Sequence, residues 1–105
     1  MELLIINFGL NGITENDYRA VCDSIAPAFA AVPGLGTKVW LADPSNGVYG
    51  GVYTFDSPDA VDAFLASQLF AQVGAMEGLA DISVRRFGVL AAPTGVTRGL
   101  IGAVV

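Results

Sequence analysis

Histidine is absent from this chain. With it go the usual general base near neutral pH, the commonest metal ligand and every Ser-His or Cys-His nucleophile arrangement. One cysteine, Cys22, cannot form an internal disulfide. Charge is scarce as well: Asp, Glu, Lys and Arg make up 14% of the 105 residues, against about 25% in an average soluble domain. So few charges barely clothe a monomer, and a self-associating chain that hides an apolar face is expected. Five basic residues stand against ten acidic ones, a net charge of -5. That is the reverse of the positive footprint that phosphate backbones attract, so nucleic acid is not an expected partner.

Long apolar runs are missing too. Charges recur at Asp23, Lys38, Asp62, Glu77 and Asp81, before any stretch reaches the roughly 18 residues of a membrane span. Met1-Glu2-Leu3-Leu4 has no positive signal-peptide region. A cytoplasmic protein with no membrane partner is expected. No metal-ligand spacing, phosphate loop or dinucleotide fingerprint occurs, because Gly34-Leu35-Gly36 lacks a third glycine and precedes a strand. No metal and no cofactor are expected.

What is present is a high apolar content, 53%, in a patterned order that suits a single domain. Leu3 to Phe8 is a nearly continuous apolar run closed by Gly9 and Asn11-Gly12, the mark of a central strand buried on both faces. Thr14 with Asp17 offers a capping box. Tyr18, Val21, Cys22, Ile25, Phe29 and Val32 then form one helical stripe, which Pro27 is expected to kink or break. Leu35 to Ala42 and Val48 to Phe55 read as strands joined through the turn residues Asp43-Pro44-Ser45-Asn46-Gly47, hence a hairpin. Ser57-Pro58-Asp59 starts a second helix, with a break or bend before Gly74. A last strand is expected at about Asp81 to Leu90.

The order is βαββαβ, an α+β, ferredoxin-like plan in which a four-stranded antiparallel sheet carries both helices on one face. The other face is too apolar to stand in water, and a second copy packing sheet to sheet about a two-fold axis is the simplest closure. Residues 1–90 form that domain. Residues 91–105 are an apolar tail expected to dock on the domain or on the partner subunit.

Trp40, the only tryptophan, shares strand parity with Lys38. Tyr49, Gly51, Tyr53 and Phe55 share one face of the neighbouring strand, and Gly50-Gly51 removes two side chains from its middle. Such glycines suggest a bulge, or close approach by a ligand or another backbone. A flat aromatic pocket follows from this arrangement; a packed core, with the lysine stem lying along the sheet, is the alternative. Asn7 interrupts an apolar strand and either orients a substrate oxygen or satisfies a loop backbone. Arg86 is the better pocket candidate of the Arg85-Arg86 pair, and an ion pair is its alternative. Cys22 reads as inert packing and Tyr18 as a helix-face residue with a wet hydroxyl.

The segments YRAVCDSIAPAFAAV (18–32), PGLGTKVWL (33–41), ADPSNGVYGGVYTF (42–55) and AAPTGVTRG (91–99) resemble the YdhR-like monooxygenase family. That family sits in the dimeric α+β barrel superfamily, with the antibiotic-biosynthesis and quinol monooxygenases. The resemblance implies a homodimer of ferredoxin-like subunits, each with a pocket between sheet and helices. It also implies chemistry in which a dihydroxy-aromatic or anthrone-like substrate reacts with oxygen without flavin or metal, its own anion serving as reductant. Tryptophan, asparagine, tyrosine and arginine line such pockets, and Trp40, Asn7, Tyr53 and Arg86 match in type. The lack of histidine departs from relatives that use one.

The leading expectation is a cofactor-independent monooxygenase acting with molecular oxygen on an aromatic or polyketide-like phenol. Lys38 or Arg86 would stabilise the substrate oxyanion, Asn7 and Tyr53 would orient its oxygens, and Trp40 would stack on the ring, with Tyr49, Gly51 and Phe55 completing the pocket. Two alternatives use the same pocket: a polyketide-type cyclase or isomerase, and a non-catalytic binding or interaction module.

Overall fold

The computed structural model describes residues 1–99. β1 (Glu2–Leu10) is followed by α1 (Glu15–Ala30), the hairpin β2 (Leu35–Asp43) and β3 (Val48–Phe55), α2 (Pro58–Leu65), α3 (Gln68–Gly74), β4 (Leu79–Gly88) and α4 (Ala91–Val96). The strands form one sheet in the order β2-β3-β1-β4, with every neighbouring pair antiparallel. This is the expected ferredoxin-like plan. Among the described residues no helix is long and apolar enough to cross a membrane.

Local chemistry sets the boundaries. Thr14 and Asp17 close a reciprocal capping box, with the Asp17 amide donating to Thr14 Oγ1 at 3.1 Å and the Thr14 amide to Asp17 Oδ2 at 3.4 Å. The hairpin turn is held by Asp43, which accepts from Asn46 Nδ2 at 2.9 Å and from Ser45 Oγ at 3.1 Å. Ser57 caps α2 and Ser67 caps α3, each accepting from the amide three residues on. The expected bend before Gly74 is therefore a new helix start at Ser67.

Several boundaries differ from the sequence expectation, and β1 extends beyond the expected Leu3 to Phe8 at both ends. α1 runs uninterrupted through Pro27 and ends at Ala30; the proline is exposed in the last turn, where little helix follows the missing donor. β4 spans Leu79–Gly88, two residues early at both ends, and a bulge against β1 between Asn7 and Gly9 falls beside Asp81, whose φ is 55°. The tail begins as α4, and residues 100–105, on which the rest of that expectation falls, lie outside the described residues.

Ladder partners share a face of the sheet. The inner face carries Leu4, Ile6, Tyr53 and Phe55, which pack with Phe29 of α1 and Val61 and Phe64 of α2 into the core; each such burial contributes roughly 1.5–3 kcal/mol. The outer face carries Leu3, Ile5, Val39, Leu41, Val52 and Phe87. α4 borders it beside Leu3 and Thr54 through Pro93 and Thr94, while Val39 is 56% and Phe87 41% exposed.

Candidate functional site

Lys38 is the chain's single lysine. β2 parity aims it at the inner face beside Trp40, and the packing of α1 on that face brings Phe29 over both. Its Nζ lies 3.3 Å from the centroid of the Phe29 ring, 3.4 Å from that of Trp40 and 4.7 Å from that of Tyr53. Three π faces thus surround one ammonium group. Among the described residues no carboxylate lies within ion-pair distance of it and no hydrogen bond from it is formed; the ion pairs are those of Arg19 and Arg86. Loss of water around the charged form pulls the Lys38 amine down to about 7, against a weaker upward push from Cys22.

The two adjacent glycines have different causes. A Cβ on Gly50, whose φ is 149°, would meet the Ile6 carbonyl oxygen, so β1 requires a glycine there. Gly51 stands opposite Trp40 in the ladder, and a Cβ there would lie 3.1 Å from Lys38 Cε and 3.1 Å from Tyr53 Cε1. The missing side chain is the space through which the lysine stem runs.

Three spaces meet at this cluster. A small apolar cavity of about 30 Å³, bounded also by Phe8, Tyr18, Cys22 and Val73, has room for one water. An open groove of about 300 Å³ lies between α1 and the β2 edge, along Ala26, Ala30 and Gly36. Another, of about 210 Å³, is bordered by Glu15, Arg19 and Tyr49. Trp40 lines all three, and Lys38 and Phe29 line both the cavity and the 300 Å³ groove.

The other candidates are distributed unevenly. Tyr53 is buried on the cavity wall, and burial pushes its phenol well above the usual range, so it stays protonated. Tyr49 lines the 210 Å³ groove, donates to Glu15 Oε1 at 2.7 Å, and is pushed up by that hydrogen bond. Phe55 sits in the core, stacked on Tyr53 at 6.2 Å, away from the cavity. Arg86 lies at another end of the sheet. It donates to Asp62 Oδ1 at 2.7 Å and to the Pro58 carbonyl at 3.3 Å, and pairs with Glu2 at 3.6 Å, which fits its ion-pair alternative. Asn7 is placed on the outer face, in register with Gly50 and Ser83, outside the Lys38 cluster.

Tyr18 is on the helix face, as expected, but its ring is buried, edge-on to Phe8 at 5.7 Å and to Tyr49 at 5.3 Å, and burial, with the Cys22 thiol nearby, pushes its phenol up. Cys22 lies on the expected stripe, and it borders both the small cavity and the 210 Å³ groove. Phe29 was legible only as a stripe residue. The usable signal was a sole lysine and a sole tryptophan two residues apart on one strand face.

The arrangement can hold one proton near neutrality, accept it from a weak acid, and keep the resulting cation against π faces. Among the described residues no group of three or more His, Cys, Asp or Glu side chains is placed to bind a metal.

A family model described as putative mono-oxygenase ydhR matches residues 3–100. No curated protein matches the chain. Among solved structures, SnoaB from Streptomyces nogalater, a cofactor-independent oxygenase, is similar with a TM-score of 0.67 at 21% identity, covering 87% of this chain and 95% of that one. A dimeric ferredoxin-like protein of unknown function from Thermobifida fusca gives a TM-score of 0.67 at 23% identity over 85% and 92% of the two chains. The haem-degrader MhuD from Mycobacterium tuberculosis, with two haems in its active site, gives 0.69 at 16% over 86% and 96%. These likenesses share the fold.

Proposed function

The chain belongs to the ydhR family of mono-oxygenase-type proteins, and from that premise we propose that it is a cofactor-independent oxygenase of a planar phenolic, polyketide-like small molecule. The observation that carries this reading is the Lys38 amine, without a carboxylate partner among the described residues and held near neutrality between aromatic rings at the edge of an apolar cavity. As a free amine it accepts the proton of a phenol; as an ammonium it then stabilises the phenolate. Delocalisation activates a ring methylene, which reduces dioxygen. The carbon loses two hydrogens and gains one oxygen, and the second oxygen atom leaves as water. All four electrons that reduce dioxygen come from the substrate. Trp40 supplies a stacking face and Tyr53, kept protonated, a hydrogen-bond donor.

The small cavity has room for one water, so the substrate ring enters from the 300 Å³ groove and displaces side chains such as Val73 and Met76 that line the cavity. The same reading includes a homodimer built on the outer face, supported by the exposure of Val39 and Phe87 and by the dimeric Thermobifida relative. Soluble, cytoplasmic work in secondary metabolism belongs to this proposal as well.

Tyr53 favours one further reading, a cyclase or isomerase in which a protonated phenol serves as general acid. Oxygen uptake matched mole for mole by loss of an anthrone supports the oxygenase. Turnover of the substrate under nitrogen supports the cyclase, and binding without turnover in either gas leaves a binding module.

A further inference from the structure

The Lys38 cluster has the elements of a covalent carbonyl trap. A lysine amine becomes a nucleophile when it is desolvated and freed from a fixed counter-charge. Lys38 meets both conditions: aromatic rings replace its water, and no carboxylate among the described residues holds it as ammonium. The groups facing it are Cys22 and Phe29 from α1 and Trp40 and Tyr53 from the sheet, with Tyr18 beyond Cys22. None of these bears a fixed charge. The groove of about 300 Å³ gives a planar molecule an approach along Trp40.

From this geometry we infer that Lys38 forms an imine with planar aromatic aldehydes. The nitrogen lone pair attacks the carbonyl carbon, and the C=O π electrons move to oxygen, which takes up a proton. Nitrogen loses its proton, the hydroxyl leaves as water, and a C=N bond remains; one water is released and no electron is gained or lost. The protonated imine keeps the positive charge against the same ring faces that hold the ammonium, so the site suits both reactant and product. The aromatic walls on three sides limit the approach of water to the C=N bond and slow its hydrolysis. The reaction needs no oxygen and stands independently of the oxygenase reading.

The composition makes the test clean, because Lys38 and the Met1 α-amine are the only amines in the sequence. The full chain is incubated under nitrogen at pH 7 with 4-hydroxybenzaldehyde and cyanoborohydride, in buffer and in concentrated urea, and the reduced adduct is located by peptide mass mapping. In native protein Lys38 is expected to be labelled about tenfold or more faster than in urea, where it returns to the ordinary lysine range. Its rate should rise with pH around a midpoint near 7, with Met1 as internal reference. Labelling of Lys38 equal to or slower than in urea, or confined to Met1, overturns the inference. Oxygen uptake with a phenol is read separately, so either proposal fails without the other.

Discussion

Lys38 Nζ and the Phe29 ring stand 3.3 Å apart, nitrogen over the face. An edge strand and the last turns of α1 thereby share one charge. Phe29 also packs edge-on against Trp40 at 5.4 Å with an interplanar angle of 80°. Movement of α1 along the sheet changes both contacts together. The packing of one helix on one strand therefore sets the electrostatics of the site.

The first prediction follows from the lowered Lys38 amine. Between about 7 and the ordinary lysine value of 10.5, the unfolded chain holds a proton that the folded chain has released, so stability rises with pH across that window. Below the window both states are protonated and the cost of burying the ammonium is fully present. From pH 7 to 9, below the range where the tyrosines intervene, wild type should gain on the order of 1 kcal/mol, a figure discounted for the partial exposure of the lysine. Urea melts of Lys38→Met should lack this gain; an equal gain in both proteins would contradict it.

Trp40 separates ligand binding from packing. Trp40→Phe should keep the fold and most affinity for a planar phenol. Trp40→Ala should lose roughly 0.5–1.5 kcal/mol of binding beyond lost burial. Quenching of the sole tryptophan tracks wild type, and calorimetry compares the variants. Equal dissociation constants across all three proteins would remove Trp40 from the site.

The adjacent glycines should respond differently. Gly50→Ala drives a Cβ into the Ile6 carbonyl and should cost about 3 kcal/mol or more in a denaturant melt. Gly51→Ala meets first the flexible Lys38 stem and the Tyr53 ring edge. It should fold, yet displace the amine and shift the midpoint of its titration upward. A Gly51→Ala protein with an unchanged midpoint contradicts the placing of the stem.

The ferredoxin-like plan was legible because each element carried its own signal: Thr14 with Asp17, Ser57-Pro58, and the Asp43 to Gly47 turn all act within a few residues. Strand parity likewise aligned Lys38 with Trp40 and placed Tyr53 and Gly51 on one face. What parity cannot supply is which helix residue covers a given strand residue, so Phe29 above Lys38 and the burial of Tyr18 became visible only in the packing. Asn7 shows the same limit: its polarity drew attention, while its face follows from the β1 register with Gly50. Arg86 lies on the inner face, but acidic partners from β1 and α2 reach it at the sheet end.

The outer face yields a prediction of assembly. Val39→Asp with Phe87→Asp places two charges on the face proposed to meet its copy. Sedimentation at micromolar concentration should show a dimer for wild type and a monomer for the double variant. A wild-type monomer, or a double variant that remains dimeric, contradicts the sheet-to-sheet arrangement.

The most direct test of the account is the ionisation state of a bound phenol. A planar naphthol, whose phenolate absorbs at longer wavelength than its neutral form, is titrated at pH 7 into wild type and into Lys38→Met under nitrogen. The account predicts a bound phenolate in wild type, its proton held by Lys38, and neutral naphthol in the variant. The same neutral spectrum in both, with binding confirmed by Trp40 quenching, would contradict it.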